Sequence, residues 1–177
     1  VTPDIMTTAK GLSSGYQPLA ATIVRPHVAE RFVGGEEETF THGITFGAHP
    51  VACAAGVANL EIFEREHLVE NSARMGKYLL EQLNSLADEH PVIGDVRGLG
   101  LLCGIELVKN RKTKERFPKE TKVGPRLTRK LEDLGLVTRG ADVVFLAPPL
   151  VIKQEEVDEM VNIVDKALTW LEKELVN

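Results

Sequence analysis

Two short runs of apolar and β-branched residues, Ile5 to Thr8 and Leu19 to Val24, are separated by the stretch Gly11-Leu12-Ser13-Ser14-Gly15. Runs of this length bounded by turn residues predict buried strands flanking a loop, with Lys10 standing where the first strand gives way. Pro26 suits the first turn of a short helix through Phe32, and Gly34-Gly35-Glu36-Glu37-Glu38 reads as a polar loop. Pro50 opens an Ala-rich helix from Val51 to about Glu66. Its Ala, Cys and Gly side chains at 52, 53, 54, 55, 56 and 58 let another backbone approach closely, so this helix is expected to be buried or at an interface.

Leu68, Ser72, Met75, Leu79, Leu83 and Leu86 then recur at spacings of three and four, a helical stripe leading into a second region. The domain boundary is expected near Met75, giving units 1–75 and 76–177. Beyond it the pattern predicts strands at Val92 to Arg97 and Leu101 to Val108, joined at Gly98-Leu99-Gly100, and a helix from Pro125 to Leu134. Strands follow at Leu136 to Arg139 and Val143 to Ala147, the last ended by Pro148-Pro149. A final helix carries Val157, Met160, Val161, Val164, Leu168, Leu171 and Leu175 on one face, with Glu155 and Glu156 near its positive end. The C-terminal region is therefore α+β, and no repeat of fixed period is present.

Composition narrows the function classes. The 177 residues are 43% hydrophobic and 27% charged, which excludes a disordered or collagenous chain, and no apolar run reaches the roughly 20 residues of a bilayer span. The 21 Lys and Arg against 26 Asp and Glu leave a net charge of −5, so neither nucleic acid nor an acidic membrane is an expected partner. Ten basic residues between Lys109 and Lys130, opposed only by Glu115 and Glu120, make a local block of +8 that reads as solvated surface. Cys53 and Cys103 lie in small, apolar surroundings, which predicts buried thiols in a reducing, cytoplasmic compartment rather than a disulfide or zinc site. The opening Val1-Thr2-Pro3-Asp4 reads as a chain already under way rather than a targeting segment, so the sequence is expected to be a fragment.

One lysine stands out. Lys10 follows an apolar strand, lies between Ala9 and Gly11, and ends where a glycine lets the backbone turn, so its amine is expected at the edge of a buried sheet. Desolvation there disfavours the ammonium, and the neutral amine is the form able to make a Schiff base. Asp4 and Arg97 are read as structural, Arg97 bracing the glycine turn, and His42 and His49 as locally satisfied, with no ligand set for a metal.

The string from Pro3 to Leu19, containing Thr7-Thr8-Ala9-Lys10-Gly11-Leu12-Ser13-Ser14-Gly15, resembles the cofactor-lysine segment of class III pyridoxal-phosphate aminotransferases, the ω-transaminase group. His42-Gly43-Ile44-Thr45-Phe46-Gly47-Ala48-His49-Pro50-Val51, Arg97 to Leu107, and Ala147-Pro148-Pro149-Leu150 resemble further segments of that family in the same order. The resemblance implies an α/β, fold type I transferase: the end of the large domain followed by the α+β C-terminal small domain. It implies that Lys10 is the catalytic lysine holding pyridoxal 5'-phosphate and moving a proton at the substrate carbon. It implies that Thr45 binds the cofactor phosphate of a neighbouring subunit in a homodimer with shared sites, and that Arg139 pairs with a substrate carboxylate in a bidentate fork.

The implied reaction moves an amino group between an amine or ω-amino acid and a keto acid, with pyruvate favoured because Gly15-Tyr16-Gln17-Pro18 is similar to the amine:pyruvate branch. The same fold and cofactor also serve aminomutases and decarboxylases, and a non-catalytic dimerisation or scaffold piece with half a cofactor site is the reading from another class. The family's phosphate loop, ring-stacking aromatic and pyridine-pairing acid belong to an N-terminal half that this sequence does not contain. Phe46-Gly47-Ala48 also departs from the Tyr-Ser-Gly often found there.

Overall fold

Strand β1 (Ile5–Thr8) pairs antiparallel with β2 (Ala21–Val24), Ile5 opposite Val24 and Thr8 opposite Ala21. In this computed structural model, which describes residues 1–176, the ribbon belongs to a first compact unit, Val1–His67; a second begins at Leu68. The remaining helices of the first unit are α1 (Pro26–Ala29), running on into a 3-10 turn at Glu30–Phe32, and α2 (Pro50–Arg65), each entered through a proline whose missing N–H costs nothing at a helix start. Both strands were expected to be buried, and they are not. Ile5 is 55% and Ile23 51% exposed, because no layer of this unit covers either face of the ribbon. Helix α2 likewise buries only Ala52 and Gly56, and Cys53 is half-buried.

The division between the units falls between His67 and Leu68, eight residues before the expected boundary. His67 leaves α2 with φ of 49°, a left-handed residue that ends one helix so that the next can start at once. Met75, expected at the end of the first domain, is instead 3% exposed in the core of the second.

In the second unit the stripes become packing. Helix α3 (Leu68–Glu89) buries Leu68, Met75, Leu79, Leu83 and Leu86, spaced as one face of a 3.6-residue period. A four-stranded antiparallel sheet has the order β3-β4-β6-β5, from β3 (Ile93–Leu99), β4 (Leu102–Leu107), β5 (Arg139–Gly140) and β6 (Val143–Leu146). Alternation along β4 and β6 sends Cys103, Ile105, Leu107, Val144 and Leu146 to the core, while Leu102 and Phe145 stay exposed. Helices α3 and α4 (Val123–Asp133) cover the core face, and α5 (Gln154–Val176) packs on both. Each fully buried leucine here, such as Leu79, Leu83, Leu127 or Leu168, contributes about 1.5 to 3 kcal/mol of transfer free energy.

Two boundaries differ from the sequence pattern for local reasons. The β3–β4 hairpin turns at Gly100-Leu101, with Gly100 at φ of 55°, and its backbone lodges against Gly76 of α3, where a Cβ would meet the Gly100 carbonyl carbon at 2.1 Å. The segment from Leu136 to Thr138 is not a strand. Gly135 (φ of 99°) donates its N–H to Glu132 O and Leu136 donates to Leu131 O, a Schellman closure of α4 that spends the amide a strand would need.

Polar side chains tie these elements together. Arg97 does not brace the glycine turn; its Nη1 donates to Asp95 Oδ2 and Glu106 Oε2, each at 2.7 Å, linking β3 to β4. Arg111, within the basic block, donates to the carbonyls of Ala87 (2.5 Å), His90 (2.7 Å) and Ile93 (2.7 Å), satisfying acceptors where α3 ends and at the first residue of β3. Elsewhere in that block Lys109 pairs with Glu115 and Arg116 with Asp142 on the surface. Burial pushes the Cys103 thiol up, as befits an inert core cysteine. Among the described residues no helix is long and apolar enough to cross a membrane.

His90 is 4% exposed, with Nε2 2.9 Å from Asp165 Oδ1 and Nδ1 3.0 Å from Glu172 Oε2, so it fastens the end of α3 to α5. Only the doubly protonated ring can donate both bonds. Desolvation opposes that form, but the hydrogen bonds to Asp165 and Glu172 outweigh it and raise the His90 pKa. A raised folded-state value means that the contribution is complete below the unfolded value of about 6.5 and is lost as pH rises through the folded one. His90→Gln is therefore expected to cost about 1.5 to 3 kcal/mol at about pH 5.5 and distinctly less at about pH 8.5. Urea unfolding followed by Trp170 fluorescence measures the difference, and a pH-independent cost would refute the clamp.

Candidate active site

Lys10 begins a single 3-10 turn, Lys10–Ser13, inserted between β1 and β2. Its φ is 50°, left-handed for a residue that carries a Cβ, which costs of order 1 to 3 kcal/mol and persists only when surrounding contacts over-determine it. Those contacts are visible. Asn59 of α2 donates from Nδ2 to Gly11 O (2.9 Å) and Leu12 O (3.1 Å), and buried Ser13 donates to Gln17 O at 2.5 Å. Gly56 of α2 leaves room for Leu19, whose Cδ2 would lie 2.5 Å from a Cβ there. The small-residue character of α2 thus serves the loop that presents Lys10.

Beside this loop lies an open cavity of about 630 Å³, lined by Lys10, Ser13 and Leu19 on one side and by Ile44, Phe46 and Ala52 among others. The Lys10 side chain is exposed, so the desolvation expected of a buried sheet edge is not provided by these residues. Thr45 sits between two lining residues, at the start of the turn 45–48, and is itself exposed and not part of the wall. Ala48 in that turn has φ of 55°, the conformation that favours glycine, which stands at that point in the Tyr-Ser-Gly variant. Neither the Lys10 amine nor the Thr45 hydroxyl has a hydrogen-bond or ion-pair partner among the described residues.

Arg139 belongs to the second unit, as the first residue of β5 rather than the last of a longer strand. It pairs in register with Phe145 and lines a recess of about 510 Å³ with Thr128, Arg129, Glu132, Asp133 and Thr138. Its guanidinium also has no hydrogen-bond or ion-pair partner among the described residues. Lys10 and the Thr45 turn therefore share one unit, and Arg139 is carried by the other.

Asp4 is 3.6 Å from His27 Nε2 and 3.9 Å from Arg25 Nε, a surface cluster closing the ribbon, in keeping with a structural role. His42 and His49 lie near the rings of Phe40 and Phe46, and no group of His, Cys, Asp and Glu suited to a metal occurs among the described residues. Sequence reasoning missed Asn59 and Ser13. Asn59 could have been found as the one amide in an otherwise small and apolar helix stretch, whereas nothing in the sequence distinguishes Ser13 from Ser14.

The donor set fits one side of a pyridoxal-phosphate site. A primary amine with no partner among the described residues stands on a strained backbone beside a cavity of ligand size, with the apolar surfaces of Leu19 and Phe46 to receive a ring.

Known proteins bear on this geometry. The family model for class-III aminotransferases matches residues 1–168. The adenosylmethionine-8-amino-7-oxononanoate aminotransferase of Anoxybacillus flavithermus is 42% identical over 171 residues, covering 95% of this chain and 37% of that protein. The taurine–pyruvate aminotransferase of Bilophila wadsworthia is 40% identical over 184 residues, covering 98% and 40%. A crystal structure of an (S)-enantioselective ω-transaminase from Thermomicrobium roseum superposes with a TM-score of 0.91 at 42% identity, covering 97% of this chain and 38% of that one. The chain spans about two fifths of the length of the curated relatives it matches.

Proposed function

The chain belongs to the class-III aminotransferase family, with the fold of the fold type I pyridoxal-phosphate-dependent transferases, and we propose that the complete protein is a transaminase in which Lys10 is the cofactor-holding, catalytic lysine. The observation that carries this reading is the Lys10 amine, set at positive φ beside the cavity by Asn59 and Gly56. The substrates are an amine or ω-amino acid and a keto acid, with pyruvate as acceptor. Support for pyruvate comes from Gly15-Tyr16-Gln17-Pro18 and from a relative named for that acceptor. The two units correspond to the end of the large domain and the small domain, and the site is cytoplasmic.

When bound, pyridoxal 5'-phosphate supplies an electron sink for the bonds at the substrate's amino-bearing carbon. The chain's own residues do the rest. Lys10 Nζ would anchor the group and, once displaced by the substrate amine, would take the proton from the substrate's amino-bearing carbon and deliver it to the cofactor carbon, from a position fixed by its backbone. Thr45 donates its hydroxyl to the phosphate bound by a neighbouring copy of the chain, so that a homodimer completes each site. Arg139 offers a planar pair of N–H donors to a substrate carboxylate.

In the complete enzyme, Lys10→Ala is expected to abolish transamination and the yellow absorbance of covalently held cofactor while leaving the circular dichroism unchanged. Borohydride reduction of the parent should place the label on Lys10, and a labelled peptide elsewhere would refute the assignment.

Arg139→Ala is expected to weaken substrates that bear a carboxylate far more than matched simple amines. Losing a charge-assisted contact costs about 1.5 to 3 kcal/mol, or roughly one to two decades in kcat/KM for the acid. Steady-state kinetics on both substrate classes decide it, because equal losses mean a structural arginine.

Thr45→Val is expected to bind the cofactor more weakly without losing its covalent attachment to Lys10. If the phosphate site is shared, cofactor also stabilises the dimer by mass action. Sedimentation of the parent with and without cofactor should show dissociation on dilution suppressed by it; a monomer that retains the cofactor as tightly would contradict the shared site.

A further inference from the structure

Among the described glycines, the one where an added Cβ would come closest to backbone atoms lies beside Arg139. Gly124, in the first turn of α4, faces the turn that follows β5: a Cβ at Gly124 would stand 1.5 Å from Ala141 O, 2.2 Å from Ala141 C and 2.6 Å from Ala141 Cα. All three are backbone atoms, so no rotamer change relieves the overlap. Ala141 lies two residues after Arg139, in the turn joining β5 to β6.

That turn has few other ties. Strand β5 is two residues long and lies at the sheet edge, so Arg139 has a ladder partner on one side only, at Phe145. Thr138 Oγ1 donates to Phe145 O, Leu107 N donates to Asp142 O at 2.8 Å, and Arg116 Nη1 reaches the exposed Asp142 Oδ2 at 3.4 Å. A sheet edge this short does not fix where its first residue stands relative to α4. The seat of the Ala141 carbonyl in the Gly124 notch does, and the same helix supplies Pro125, Thr128, Arg129, Glu132 and Asp133 to the recess that holds Arg139.

We propose that Gly124 is a positioning residue for Arg139, its missing side chain forming the notch that sets the arginine's backbone and so the reach of its guanidinium towards a substrate carboxylate. The inference rests on the reading of Arg139 as the carboxylate-binding residue. Real Cβ atoms essentially never come within 3.0 Å of such atoms, so Gly124→Ala must part helix and turn by about 1.5 Å. A displacement of about 1 Å in a positioning group is enough to cost on the order of 100-fold in rate.

The test uses the complete, cofactor-loaded enzyme and compares kcat/KM for a short amino acid with that for the matched amine lacking the carboxylate. Gly124→Ala is expected to lower the acid-to-amine ratio by roughly 10- to 100-fold through KM for the acid, with amine turnover within about twofold of the parent. In an Arg139→Ala background it should change the ratio no further. Ala141→Gly adds no atom and cannot clash, yet loosens the same turn; it is expected to lower the ratio by about threefold or more and to speed amide exchange at residues 140–143. If Gly124→Ala does not fold, Ala141→Gly carries the test. A ratio unchanged in these variants while Arg139→Ala lowers it overturns the positioning role alone, as does an equal loss for acid and amine. A ratio unchanged in Arg139→Ala overturns the reading of Arg139 itself, and this proposal with it.

Discussion

Burial of one apolar face of the β3-β4-β6-β5 sheet beneath α3 and α4 is the constraint on which the second unit depends. The sheet places Ile105, Val144 and Leu146 on that face by simple alternation, and the helices answer with Leu79, Leu83, Leu127 and Leu131, all at most 1% exposed. With α5 closing over both helices through Val157, Val164, Leu168 and Leu171, the apolar surface is removed from water in two layers. The polar links are placed at the margins of this core. Arg111 serves the carbonyls where α3 ends, His90 joins that end to α5, and Asn71 donates to Leu150 O and Ile152 O where the chain passes from β6 to α5.

The first unit is held differently. Only Ser13, Ala52 and Gly56 are buried among its described residues, and hydrogen bonds and close approach tie its lysine loop to α2. Asn59 and Gly56 on α2 bring the helix against the Lys10 loop, and the left-handed residues Lys10 and Ser14 bound that loop at either end. A backbone held in a costly conformation beside an open cavity is the usual mark of a functional segment, because the strain persists only where other contacts impose it. That Lys10, Thr45 and Arg139 have no side-chain partner among the described residues fits the same picture. Each is a strong donor or nucleophile whose partner is supplied by a ligand in the proposed reaction.

Much of this was legible in the sequence, and for a common reason. Helix α3, the β3–β4 hairpin and α5 were visible because their signals are local and periodic: a leucine stripe, two apolar runs around glycines, and an apolar face entered through Glu155 and Glu156. The motifs singled out Lys10 and Arg139 for the roles proposed for them, although the strand bearing Arg139 proved to start where it was expected to end. That error came from the Schellman closure of α4, a backbone arrangement in which Gly135 and Leu136 turn their amides to helical carbonyls and leave none for a strand.

What the sequence by itself determined is therefore the order and period of the elements and, through its motifs, the resemblance to the family, since these follow from residue type and order along one chain. What only the tertiary structure decided is how close the backbones come. Gly56 admitting Leu19, Gly76 admitting Gly100 and Gly124 admitting Ala141 look like any other glycines in the sequence. Their meaning lies in the absence of a Cβ opposite an atom 24 or more positions away in two cases and 17 in the third, and a steric exclusion between distant segments exists only once the chain has folded. Burial is the same kind of property: the apolar runs of β1 and β2 predicted strands correctly, but whether a strand is covered depends on which other layer reaches it, and here none of the first unit does.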